Sequence, residues 1–177
     1  MDGSKPIADI AKALASIFRY CIDAPDNLVT VQEELQHVVN YFSIQQFRFH
    51  NRFRLATDFE EQNSDLRSCY LPRLTLQPLV ENSIKHGLEV ENIDENIWIW
   101  CGVDDNDLVI SVKDDGRGMA PETLEYLRGL WDSREEEYKK TESIGLYNVM
   151  RRLYLCYREE CNLEIFSEPC RGTEIVI

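Results

Sequence analysis

The stretch Leu76-Gln77-Pro78-Leu79-Val80-Glu81-Asn82-Ser83-Ile84-Lys85-His86-Gly87 constrains the fold more than any other part of the chain. Wound as an α-helix, it gathers Leu76, Leu79, Val80, Ser83 and Ile84 on one half of the circumference and Gln77, Glu81, Asn82, Lys85 and His86 on the other. The first face is built for a core. The second is dense in groups that coordinate or hydrogen-bond. Pro78 falls in the first turn, where a missing N–H costs nothing, and Gly87 is a natural stop. An ordinary amphipathic helix with a solvated face would show the same spacing, so the case for a site rests on what accompanies this helix elsewhere.

The 177 residues hold one full domain and a smaller appendage, and an apolar fraction of 44% supplies a real core. A formal charge of −13 argues against nucleic acid and anionic membrane as partners, because both select for Lys and Arg. It does not argue against a nucleotide, which needs only local donors and a metal. Cys21, Cys69, Cys101, Cys156, Cys161 and Cys170 lie scattered among apolar positions, without the paired spacing of a zinc site or a secreted disulfide framework. A reducing, cytoplasmic setting is expected. No apolar run approaches the ~18 residues of a membrane span.

Along the chain, Ile7, Ile10, Leu14, Ile17 and Cys21 alternate by threes and fours, the seam of a coiled coil. Asp23 to Asn27, with Pro25, breaks that helix. Thr30-Val31-Gln32-Glu33 is a capping box that starts a second one, whose seam runs Val31, Leu35, Val38, Phe42, Gln45, Phe49. Such a hairpin pairs with a second copy into a four-helix bundle, or else packs on the chain's own main domain. Past Arg52 the character changes. Phe53 to Glu60 alternates as a strand and Gln62 to Arg67 reads as a polar loop. Glu95 to Val103 is a strand with Ile97, Ile99, Cys101 and Val103 on one face and Trp98 and Trp100 on the other. Asp104-Asp105-Asn106 is a hairpin turn, and Leu108 to Lys113 returns with Leu108, Ile110 and Val112 inward. Leu124 to Trp131 suggests a short helix, and Asp132 to Ser143 is a charged stretch without period, read as mobile. Leu146 to Tyr157 is a helix, and Leu163 to Ser167 with Thr173 to Ile177 closes as a hairpin. The order implies an α+β sandwich, a mixed sheet with helices on one side, preceded by an α-helical hairpin. The domains are expected at 1–50 and 51–177.

Three further stretches carry chemistry. In Asp114-Asp115-Gly116-Arg117-Gly118-Met119, the period of two puts Asp114 on the same face as Leu108, Ile110 and Val112. A carboxylate aimed at an apolar layer is costly unless something donates to it. A purine fits, with its exocyclic amine on the carboxylate and its ring on the apolar face, while Gly116 and Gly118 allow close approach. By itself this pattern is more often a plain turn. Ser143-Ile144-Gly145-Leu146 opens a helix whose free N–H groups suit phosphate, although a simple N-cap at Ser143 reads equally well. Gly172-Thr173 enters the last strand.

In this order the elements resemble the Bergerat-type ATP-binding fold shared by gyrase, MutL, heat-shock chaperones and histidine kinases. Leu76 to Gly87, with Arg19-Tyr20, Glu33-Glu34-Leu35, Asn40-Tyr41 and Ile44-Gln45-Gln46-Phe47-Arg48-Phe49, is similar to the LytS/YehU-type sensor histidine kinases, over about Leu14 to Ile177. The resemblance implies ATP and Mg²⁺ as cofactors. It implies Asn82 as metal ligand, Glu81 beside it as a catalytic carboxylate holding a metal-bound water, and Lys85 and His86 near phosphate or ribose. It implies Asp114 on the adenine amine, with Gly116, Gly118 and Met119 shaping the pocket and Thr173 supporting it. Ile144, Gly145 and Leu146 would meet the phosphates beneath a lid from about Ala120 to Glu142. A response regulator and a homodimer through the hairpin are the implied partners, with the parent protein anchored in the cell membrane and no direct membrane contact in this segment. Two departures stand out. Ser143 replaces a common glycine, and the phospho-accepting histidine in its His-Pro-His-Phe-like setting is absent, since His37, His50 and His86 lack that context. The chain therefore reads as a fragment not expected to autophosphorylate alone. The competing readings are a superfamily ATPase, disfavoured because Pro78 stands where such enzymes carry an acidic base, and a non-catalytic nucleotide-binding or dimerisation module.

Overall fold

The computed structural model describes residues 4–22, 28–59, 66, 68–87, 95–133 and 144–177. Two long helices open it, α1 (Ser4–Ile22) and α2 (Val31–Arg48). Thr30 starts α2 as its sequence demands: its hydroxyl accepts the Glu33 N–H at 3.2 Å, and the Glu33 carboxylate accepts the Thr30 N–H at 2.9 Å. Between the helices lies β1 (Leu28–Thr30), which pairs antiparallel with β3 (Tyr70–Pro72). No period in the sequence announces that ribbon. It ties the start of α2 to the residues that lead into α3 (Leu76–Gly87).

The main sheet has five strands in the order β2-β4-β5-β7-β6: β2 (Phe53–Phe59), β4 (Glu95–Asp104), β5 (Asp107–Asp114), β6 (Glu164–Ser167) and β7 (Thr173–Val176). β2 runs parallel to β4, and the remaining pairs are antiparallel. The tight β4–β5 turn places Asp105 and Asn106 at φ 44° and 80°, the left-handed pair that a two-residue hairpin with matching twist requires. The expected alternation holds: Ile97, Ile99 and Cys101 are buried on one face of β4, while Trp98 and Trp100 stand exposed on the other. Burial, and then the charge of Asp58 on the adjacent strand, push the Cys101 thiol up to about 12, so it behaves as a small hydrophobe.

Against the inner face lie α3 and α5 (Ile144–Tyr157), which contribute Leu76, Leu79, Val80, Ile84, Leu146, Val149, Met150 and Leu153 to one continuous core. α4 (Pro121–Ser133) borders β6 and buries Leu127, Leu130 and Trp131. While the first part of the expected lid forms α4, the remainder of the charged stretch, residues 134–143 with Ser143 and the last part of that lid, falls outside the described residues. So does the Gln62–Arg67 loop apart from Leu66, which is buried in the core rather than solvated.

The two hairpin seams have different fates. Val31, Leu35, Val38 and Phe42 of α2 join the main core, so the hairpin packs on its own domain through its second helix. The first seam is half-buried at Ile10 and Ile17 and open along its Ile7–Leu14 edge. Ile7 is 67% and Leu14 45% exposed, and Phe18 and Ile22 extend the same stripe at 57% and 75%. It is Ala13, off the expected seam, that is buried on α1.

Candidate functional site

β5 delivers Asp114 to the edge of a cavity of about 450 Å³ between the inner sheet face, α3 and the start of α5. The Asp114 carboxylate accepts the Ser83 hydroxyl at 2.9 Å on one oxygen, and the backbone N–H groups of Gly116 at 3.0 Å and Thr173 at 3.2 Å on the other. Burial raises its pKa above the ordinary aspartate value. The three donors and the nearby His86 charge work in the opposite direction, and burial outweighs them. The neighbouring Asp115 instead anchors the loop to β4, accepting from the Asn96 backbone at 2.7 Å and side chain at 2.6 Å.

The loop after Asp114 is stitched to the β6–β7 turn. Met119 N–H donates to the Ser167 hydroxyl at 2.8 Å, and Cys170 N–H donates to the Arg117 carbonyl at 2.7 Å. Two glycines make that crossing possible. Gly118, at φ 67°, has no room for a side chain: a Cβ would lie 2.0 Å from the Glu168 carbonyl oxygen. At Gly172, φ 84°, a Cβ would lie 1.9 Å from the Asp114 carbonyl oxygen.

α3 turns Asn82, Ser83 and His86 into the cavity. Gly145, in the first turn of α5, faces Asn82: a Cβ there would sit 3.5 Å from the Asn82 amide oxygen. The free N–H groups of a helix start, an amide oxygen and an open cavity thus meet at one end, the arrangement that receives an anion. Met119, Leu146 and Thr173 line the walls, Gly116 is buried beneath Asp114, and Arg117 reaches His86 at 3.3 Å.

Some of the expected residues lie elsewhere. Ile144 is half exposed at the α5 start and Lys85 is exposed, and neither lines the cavity. Glu81 is outside it too, on the flank of α3 that faces α2, where it accepts from Gln77 at 2.6 Å. Ser83, expected only on the core face, is a direct donor to Asp114. A lone hydroxyl in an otherwise apolar stripe is the signal for it.

Residues 71–177 match the family of histidine kinase-, DNA gyrase B-, and HSP90-like ATPases. The chain belongs to that family. Residues 1–53 match a histidine kinase family model, so the ATPase-family domain is preceded by a kinase-type hairpin. The sensor histidine kinase YesM of Bacillus subtilis is 34% identical over 173 residues, covering 98% of this chain and 27% of that protein. The sensor protein kinase HptS of Staphylococcus aureus is 30% identical over 166 residues, covering 94% of this chain and 30% of its own length. The chain thus spans under a third of these relatives. Among solved structures, the Acinetobacter baumannii histidine kinase AdeS superposes with a TM-score of 0.57 at 13% identity, over 94% of this chain and 75% of that one. The histidine kinase domain of the blue-light activated kinase of Erythrobacter litoralis EL346 does so at 0.53 and 14%, over 97% and 78%. Both share the fold. The α+β sandwich with a leading helical hairpin expected from the sequence is the architecture of this family.

Proposed function

We propose that this chain is the ATP-binding catalytic portion of a two-component sensor histidine kinase, and that it passes the γ-phosphoryl group to a histidine outside these residues and thence to a response regulator. The observation that carries the reading is Asp114: a carboxylate at the inner edge of a cavity, oriented by three donors, beside the apolar wall of Val112, Leu146 and Ile175. An adenine ring lies on that wall and gives its amine to the carboxylate. Guanine, with an acceptor at that position, is refused.

Asn82 and the α5 start mark the phosphate end. Among the described residues no group of three or more His, Cys, Asp or Glu side chains is placed to hold a metal alone. The single amide oxygen of Asn82, facing Gly145, fits magnesium, which takes most of its oxygens from phosphate and water. Bound there with ATP, Mg²⁺ supplies neutralisation of phosphate charge. The α5 N–H groups orient the phosphates, and His86 and Arg117 border the cavity mouth. Pro78 gives no base for hydrolysis, which favours transfer over an ATPase cycle.

The open Ile7-Leu14-Phe18 stripe supports a homodimer through the hairpin. No helix among the described residues is long and apolar enough to cross a membrane, and the parent is read as a membrane-anchored sensor with this part in the cytoplasm. Calorimetric titration with ATP, ADP and GTP tests the nucleotide reading. Binding of ATP and ADP with rejection of GTP is expected, and equal binding of GTP or no nucleotide binding overturns it.

A further inference from the structure

The start of α3 takes its cap from another part of the chain. Thr75, the residue before the helix, gives its hydroxyl to the Pro72 carbonyl, and Pro78 lacks an N–H that a capping side chain at Thr75 would ordinarily reach. The acceptor comes instead from α2. Glu34, fully buried, accepts the Leu76 N–H at 2.9 Å on one carboxylate oxygen and the Leu74 N–H at 3.1 Å on the other. That second oxygen also takes the Tyr20 hydroxyl of α1, so both helices of the hairpin meet at this carboxylate.

The turn that leads into α3 is gripped from both sides. Leu74 sits at φ 58°, a backbone conformation that a leucine adopts only when its surroundings impose it. Arg152 of α5 donates to the Leu74 carbonyl at 2.9 Å and to that of Arg73, whose guanidinium lies 4.2 Å from the centre of the Tyr20 ring. Just upstream, the β1–β3 ribbon and the Val31 N–H on the Cys69 carbonyl at 3.3 Å tie the same segment to the start of α2. α3 thus has two fixed points. Ser83 holds its middle to Asp114, and Glu34 holds its first residue, about two turns and ~10 Å earlier along the axis. One point leaves a helix free to swing, whereas two define its direction. Asn82, which lines the cavity, lies between them.

We propose that Glu34 is a positioning residue for nucleotide binding: by capping α3 from the hairpin it sets the direction of that helix, and so places the Asn82 amide oxygen opposite Gly145 at the phosphate end. The proposal rests on the role given to Asn82 above. The two ends of the cavity are supported differently. Asp114 ends a strand inside the sheet, paired with Ile97 of β4 on one side and Thr173 of β7 on the other. Asn82 rides on a helix whose first turn is held by the hairpin. Loosening the Glu34 cap therefore disturbs the phosphate end and spares the adenine end.

The test is calorimetric titration of this chain with ATP, with and without Mg²⁺, and with metal-free ADP. Glu34→Gln keeps the volume and one acceptor oxygen, and Glu34→Asp keeps the carboxylate but draws it back from the α3 amides by one methylene. In both, the gain in ATP affinity that Mg²⁺ confers should shrink roughly three- to tenfold, while affinity for metal-free ADP stays that of the parent. Hydrogen exchange of the Leu74 and Leu76 amides, followed without nucleotide or metal, should accelerate. A role confined to stability would instead weaken metal-free and metal-dependent binding alike. That outcome, or a magnesium gain equal to the parent's, overturns the proposal. If Glu34→Gln does not fold, Glu34→Asp decides by the same criteria. If the parent shows no magnesium gain, or Asn82→Ala leaves it intact, the reading of Asn82 fails and the positioning role with it.

Discussion

Ser83 donates its hydroxyl to the Asp114 carboxylate at 2.9 Å, joining the middle of α3 to the last residue of β5 across 31 positions of sequence. The bond lies at the inner edge of the cavity, and Ser83 also reaches the Leu79 carbonyl of its own helix at 3.3 Å. It makes the helix that bears Asn82 and the strand that bears Asp114 parts of one rigid frame.

Asp114→Asn separates binding from stability. A hydrogen bond to a charged group is worth about 1.5–3 kcal/mol, so ATP and ADP should both bind roughly ten- to a hundredfold more weakly by calorimetry. The apo protein should nonetheless melt no lower than the parent at neutral pH. An Asn keeps an oxygen for the Gly116 and Thr173 N–H groups, and its amide can give to a Ser83 hydroxyl turned towards Leu79. It also sheds the cost of a buried charge. A substantial drop in melting temperature would show that the ionised carboxylate itself holds the fold.

The sign of the pH dependence follows. Burial raises the Asp114 pKa, so the folded state favours the protonated form; the associated stability is present in acid and is lost as pH rises through the folded pKa. Nucleotide binding runs the other way, because only the ionised carboxylate accepts from the amine without giving up its backbone donors. ATP affinity should therefore begin to fall at a pH above the ordinary aspartate range. Ser83→Ala, which removes a donor that lowers that pKa, should move the fall to higher pH. Titrations at a series of pH values check both shifts.

Two glycines near the site should fail in different ways. Gly118→Ala places a Cβ against the Glu168 carbonyl in a left-handed conformation and should destabilise the fold by more than ~3 kcal/mol. Gly145→Ala meets nothing closer than the Asn82 amide oxygen at 3.5 Å, so the melting temperature should hold. The added methyl instead occupies the approach of the phosphates, and ATP affinity should drop. Thermal melts and titrations on the same samples distinguish them.

Asn82→Ala should abolish the gain in ATP affinity that magnesium confers and leave metal-free nucleotide nearly unaffected, read by calorimetry with and without the ion. Leu14→Asp or Phe18→Asp, in the open stripe of α1, should weaken self-association in sedimentation equilibrium without lowering nucleotide affinity. A chain that is monomeric at tens of micromolar before mutation (about the range in which a weak bundle would show) would remove the basis for the hairpin dimer.

The sequence by itself determined whatever depends on a local period. The 3.6-residue repeat sorted the two faces of α3, the two-residue repeat buried Ile97 and Ile99 and sent Asp114 to the inner face of β5, and Thr30 with Glu33 set the start of α2. Asp105-Asn106 declared its turn because few residues tolerate positive φ in succession. Only the tertiary structure decided who meets whom. The β1–β3 ribbon has three residues a side, too few to carry a period. An apolar stripe states that it will be covered and is silent about the cover, so nothing local distinguished the seam of α2, taken into the core, from that of α1, left open along one edge. Ser83 on Asp114, Glu34 on the start of α3 and His37 on Gln77 each join residues far apart in the chain. Their partners are chosen by the packing of whole elements, and polar pairs of that kind leave no repeat in the sequence to be read.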